Sequence, residues 1–160
     1  MTPAELLQEF YRDKLGLLLR HQVGARCVAR YDLNNAYQYI IAREETHLQW
    51  IADAIAAAGG ALPEAAGVPL LPEAEKGTPQ MQAVLRDDVE RHRAFVERWR
   101  DRVDGVTQAR DRRMLELILG EMLEHLRFFE QGLEGRTDLL GRFDRGAGEA
   151  GKVLAARWLE

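Results

Sequence analysis

Proline is the residue that most constrains this chain. Of five prolines, Pro63, Pro69, Pro72 and Pro79 crowd into one stretch, and Pro3 stands at the very start. Proline lacks the amide hydrogen and clashes with the preceding turn, so residues 59–78 cannot be one long helix. The segments on either side are free to be helical, and their apolar residues recur with helical rather than strand periodicity. Thr2-Pro3 reads as a cap followed by proline at the first helical position, which opens a helix running to about Ala29. The Asp32-Leu33-Asn34-Asn35 turn then starts a second helix, which reaches about Ala58 and stops at Gly59-Gly60. Thr78-Pro79 repeats the cap-then-proline signal and opens a third helix to about Val103, where Gly105 breaks it. A fourth runs from about Gln108 to Leu133 and ends before Gly135.

Linker lengths fix the topology. The short turns make helices 1 and 2 an antiparallel hairpin, and helices 3 and 4 another. The middle linker far exceeds the 2–8 residues usual between bundle neighbours. At ~3.3 Å per extended residue it can cross the whole length of a helix. The expectation is therefore all-α: a four-helix bundle of two hairpins joined by one long crossover, the ferritin-like connection. Residues 1–136 form the bundle. Residues 137–160 form a tail whose Val153, Leu154, Trp158 and Leu159 predict a short amphipathic helix, docked on the bundle or on a second copy in a homodimer.

The polar residues inside the apolar stripes carry the chemistry. On helix 2, Tyr37, Ile40, Ile41, Leu48, Ile51 and Ile55 form the stripe; Glu44 falls in its middle and His47 beside it. On helix 3, Asp88 and His92 lie at the centre of a stripe that includes Val84, Leu85, Phe95 and Trp99. On helix 4, Glu121 and His125 fall within a broad arc made by Met114, Leu117, Ile118, Met122, Phe128 and Phe129. On helix 1, His21 shares a face with Phe10, Leu17 and Leu18, and Lys14 lies on the same side as a flanking charge. The chain has four histidines, and each helix carries one. Measured from the common end of the two hairpins, the seven candidates fall within roughly 10 Å of bundle length, at ~1.5 Å per residue. A buried carboxylate persists only if it is paired, protonated or bound to a cation. The predicted site is thus His21, Glu44, His47, Asp88, His92, Glu121 and His125 around one or two metal ions. Hydrogen-bonded His–carboxylate pairs without metal remain the alternative, and a mononuclear zinc hydrolase is a third.

Other classes find less support. The net charge of −4 is mild and the arginines from 91 to 113 alternate with acids, which reads as a solvated face rather than a nucleic-acid surface. The chain has no serine nucleophile, Gly-rich phosphate loop or zinc-finger cysteine pair. Cys27 is the single cysteine, so a cytoplasmic location is expected. No secretory signal is visible at the start, and no apolar run reaches the ~18–20 residues of a membrane span.

The stretch Ala42-Arg-Glu-Glu-Thr-His-Leu, followed by Ile51-Ala-Asp-Ala-Ile and Gly59-Gly60, resembles the second helix of the ferritin-like superfamily of ferritins, rubrerythrins and di-iron carboxylate proteins. Glu44-x-x-His47 matches that group's metal motif, and the overall resemblance runs from about Glu5 to Gly135. It implies a di-iron centre reacting with oxygen or peroxide, with Glu44 as bridge and His47, His92 and His125 as terminal ligands. Manganese or zinc are the other ions that imidazole and carboxylate ligands suit. Three positions depart from the pattern. His21 stands where helix 1 of that family carries glutamate, Asp88 with His92 replaces the glutamate of helix 3, and Met122 precedes His125 by three residues, leaving Glu121 at a spacing of four.

Overall fold

The computed structural model of the chain describes residues 1–65, 67, 69–137, 139 and 140. Its elements are α1 (Pro3–Ala25), α2 (Tyr31–Ala57), α3 (Thr78–Asp104) and α4 (Ala109–Leu133), with no strand among the described residues. The all-α bundle is as expected from the sequence. The amphipathic helix expected around Val153 to Leu159 lies outside the described residues, although Leu139, near the start of the tail, is buried against the bundle.

Local chemistry sets the helix ends. Thr2 caps α1 through a reciprocal pair: its hydroxyl accepts from the Glu5 amide at 3.2 Å, and the Thr2 amide donates to Glu5 Oε2 at 2.7 Å. The helix ends at Ala25, four residues before the expected Ala29, because the chain turns there to bury Val28. The Asp32–Asn35 segment is correspondingly helical, not a turn. Asn34 still serves the turn from inside α2: its Nδ2 donates to the carbonyls of Ala25 and Val28, both at 3.1 Å. At α3 the capping position falls on Gly77, whose φ of 94° suits glycine, and Thr78 is already helical.

Each hairpin packs mainly on itself, α1 against α2 and α3 against α4, and the two meet along α2/α4 and α1/α3. Two apolar clusters show the direction of every helix. At one end Leu7, Ile55, Val103 and Leu115 pack together; at the other, Ala25, Leu33, Val84 and Phe129 do. The start of α1 therefore lies beside the ends of α2 and α3 and the start of α4, so the linker must cross the bundle from end to end. It does so along α1: Gln8 Nε2 donates to the Ala61 carbonyl at 2.7 Å, and Arg20 Nη1 to the Leu70 carbonyl at 2.8 Å. The arginines of α3 are more engaged than a plain solvated face. Arg98 and Arg102 both bind Glu9 of α1, and Arg102 lies 4.0 Å over the buried Trp99 ring, whose Nε1 donates to Asp13. Among the described residues no helix is long and apolar enough to cross a membrane.

A candidate metal centre between the apolar clusters

Between the two apolar clusters lies a polar layer. Lys14, His21, Glu44, His47, Asp88, His92 and His125 are all at most 1% exposed, and Arg20 is 5% exposed. Ordinary helical spacing puts them there. Glu44 and His47 follow Ile40 and precede Ile51 on the inner face of α2. Asp88 and His92 sit between Leu85 and Phe95 on α3, and His125 between Met122 and Phe129 on α4. Six of the seven residues singled out in the sequence thus line the centre.

Glu121 is the exception. Its side chain is 27% exposed, at the edge between α2 and α4 rather than in the core. The buried arc of α4 is narrower than expected, since Leu117 is 54% exposed. Glu121 is gripped there by Arg43, whose Nε reaches Oε2 at 3.1 Å and Nη2 reaches Oε1 at 2.7 Å. His47 Nε2 meets the same carboxylate at 2.5 Å.

Three residues that the sequence reading left out, or gave a flanking place, are central. Lys14 is fully buried, with Nζ 3.0 Å from Glu44 Oε2. The other oxygen of Glu44 bonds to His21 Nδ1. Arg20 pairs with Asp87 and has Nε 3.8 Å from Asp88 Oδ1. Tyr37 donates its hydroxyl to Asp88 Oδ2 at 2.5 Å. The signal for Lys14 was its place on the Phe10–Leu18–His21 face of α1. Arg20 adjoins His21 but gave no stripe signal of its own.

The electrostatics divide the centre into two sides. Burial alone would raise Glu44, but His21 and Lys14 outweigh it and hold the carboxyl far below the usual carboxylate range. Burial alone would lower His21; Glu44 and Asp88 overcome it, so its imidazolium is favoured. Burial raises Asp88, against the opposing pull of His21 and Tyr37. The other three histidines go the opposite way, chiefly through burial. His47 falls to about 4, His125 to about 3, and His92 well below its ordinary value. So α1 supplies cations, Lys14 and His21, while α2, α3 and α4 each present a neutral imidazole.

The tautomers of two of these follow from their partners. His92 Nδ1 donates to the Asp88 carbonyl at 3.1 Å, which leaves Nε2 as a lone pair. His47 gives its Nε2 hydrogen to Glu121, which leaves Nδ1 bare. His92 Nε2, His47 Nδ1 and His125 Nδ1 are all buried without a hydrogen-bond partner; His21 Nε2 also makes no hydrogen bond, but it belongs to the imidazolium and faces Asp88 Oδ1 at 3.6 Å. An imidazole oriented on one nitrogen by a carboxylate or carbonyl, with the other bare, is the arrangement of a metal-ligating histidine.

A carboxylate-bridged metal pair fits less well. Glu44, the expected bridge, has both oxygens engaged by cationic groups, and Arg43 holds both oxygens of Glu121. Among the described residues no three His, Cys, Asp or Glu groups stand together as a ready-made metal site.

A scan of protein-family models and a search of curated proteins match nothing to this chain. Among solved structures it is similar to a conserved hypothetical protein, Rv2844, from Mycobacterium tuberculosis. The TM-score is 0.71 at 16% identity, covering 83% of this chain and 99% of that one. At that identity the likeness is one of fold.

Proposed function

We propose that the polar layer is a binding site for a divalent transition-metal ion, held by the neutral imidazoles of His47, His92 and His125. One observation carries this reading: each contributes a buried ring nitrogen without a hydrogen-bond partner, from three different helices. Leaving such groups unmet costs about 1–3 kcal/mol apiece, and a cation shared among them removes the cost. Because no three ligand groups converge as they stand, loading requires the side chains to turn toward one another.

Imidazole ligands suit iron and zinc best and manganese less well. Iron would supply a one-electron redox centre for oxygen or peroxide, and zinc a Lewis acid. The chain's own residues do the rest. Glu121 and the Asp88 carbonyl orient His47 and His92, while Met122, Phe129 and Ile40 keep bulk water out. Lys14 and His21 hold Glu44 ionised nearby as an acceptor.

Metal content of untagged protein, loaded anaerobically with Fe(II), Mn(II) or Zn(II) and gel-filtered, tests the reading. About one equivalent per chain is expected, falling several-fold in His47→Ala and His125→Ala. Less than ~0.2 equivalents for every ion would refute it. A visible band on exposing the Fe(II)-loaded chain to air would mark the redox form.

A second, metal-free reading has its own support. The three carboxylates Glu44, Asp88 and Glu121 already face the three basic groups Lys14, Arg20 and Arg43. The layer would then be a charge-balanced core that fixes how the two hairpins register. Unloaded protein with full stability and no metal-dependent shift in melting temperature is its expected result.

A further inference from the structure

We infer that Lys14 is a built-in cation standing in for a second metal ion beside Glu44, so that the centre takes one ion and not a bridged pair. This rests on the metal-binding reading for the ion count, but the role of Lys14 is tested separately from it.

Three observations carry it. Lys14 Nζ lies 3.0 Å from Glu44 Oε2, and both side chains are 0% exposed. An ammonium there neutralises the carboxylate without asking for further ligands, whereas a metal ion would need several more oxygen or nitrogen donors. Those donors are committed elsewhere. The remaining oxygen of Glu44 is held by His21, and Tyr37 and Arg20 attend Asp88. Charge points the same way. Lys14, His21, Arg20 and Arg43 balance Glu44, Asp87, Asp88 and Glu121 one for one, so each added divalent ion brings uncompensated charge into the layer. Neutral imidazoles can still bind one ion, since a metal–nitrogen bond needs no anionic ligand. A second ion needs the carboxylate that Lys14 covers.

The geometry also explains why this cation is a lysine. Lys14 lies on α1, one turn after the buried Phe10 and two turns before His21, and a flexible four-carbon stem lets its ammonium reach Glu44 on the neighbouring helix. A carboxylate at 14 would instead put two acidic groups at one spot and demand a metal to separate them.

The test compares the wild-type chain with Lys14→Glu and Lys14→Met in parallel. Each is loaded with Fe(II), Mn(II) or Zn(II) under argon and gel-filtered, and metal per chain is counted by elemental analysis. Lys14→Glu is expected to bind about one equivalent more than wild type and to gain a metal-dependent rise in melting temperature. Lys14→Met removes the charge and keeps the stem; an ion there would take Glu44 and, once it gives up its proton, His21 as ligands, so the variant is expected to gain the same equivalent at higher free metal. Should Lys14→Glu fail to fold without metal, Lys14→Met decides. A folded Lys14→Met that gains no equivalent overturns the inference, as does wild type binding two. Wild type binding none while the variants gain one overturns the metal-binding reading of the native chain and upholds the role given to Lys14.

Discussion

Replacing Lys14 by methionine in chelated, metal-free protein isolates the buried ion pair. The substitution keeps an unbranched side chain of similar length, so packing changes by less than about 1.5 kcal/mol. What is lost is the ammonium 3.0 Å from Glu44 Oε2, in a pair with no solvent exposure on either side. Removing one member of a buried ion pair costs about 3–5 kcal/mol, because the other is left uncompensated. Glu44 keeps His21 on its second oxygen, which places the expected loss near the lower end, about 3 kcal/mol. At about 2–4 °C per kcal/mol for a chain of this size, melting should fall by about 6–12 °C. With total stability of about 5–15 kcal/mol, the variant remains folded. Urea unfolding followed by circular dichroism gives the difference, and Glu44→Gln with the double variant completes a cycle. In Lys14→Met/Glu44→Gln the carboxylate needing compensation is gone, and the amide oxygen can still accept from His21. The double variant should therefore recover most of the loss, with a coupling of about 2 kcal/mol or more. A loss under about 1 kcal/mol for Lys14→Met, or no coupling with Glu44, would refute the counter-ion role.

Tyr37→Phe removes the hydroxyl that donates to buried Asp88 and should cost about 1–3 kcal/mol in the same urea assay; no change would mean that the bond contributes nothing. Gly120→Ala should stabilise by about 0.4–1 kcal/mol, since the position is an exposed helix interior and an added Cβ meets nothing within 4 Å. Metal-free protein should lose stability as pH falls from about 6.5 through about 4 to about 3, because His47 and His125 bind protons less readily folded than unfolded. Each contributes a slope of up to about 1.4 kcal/mol per pH unit between its unfolded and folded values, and His125→Asn should shallow the acid limb. His21 acts in the opposite sense: its raised pKa gives stability that is full below about 6.5 and lost as pH rises through the folded value.

The helix pattern was legible because punctuation and periodicity agree. Four prolines mark the crossover, and every buried position of α2 and α3 repeats at helical spacing. The depth of the polar layer was legible for the same reason, since a fixed rise per residue converts sequence position into height along the bundle. What the sequence hid was which way long side chains reach. Lys14 was placed on the right face of α1 as a flanking charge, yet its flexible stem carries the ammonium to the centre. Arg43 points away from the α2 stripe but bends back to Glu121 and lies 5.7 Å over Trp50. Glu121 lies at the edge because the apolar arc expected on α4 includes Leu117, which faces outward at 54% exposed. The Asp32–Asn35 turn was misplaced because asparagine signals a turn whether it lies in the turn or bonds to it from the next helix.

X-ray absorption at the metal edge of zinc- or iron-loaded wild-type protein reports the atoms bound to the ion and so decides whether His47, His92 and His125 hold it. A mononuclear centre with imidazole nitrogens at about 2.0–2.1 Å is expected for zinc. Metal–metal scattering should be absent, and the nitrogen count should fall in His92→Ala. A first shell of oxygen alone, or a second metal at the ~3.5–4 Å of a paired site, would contradict this coordination.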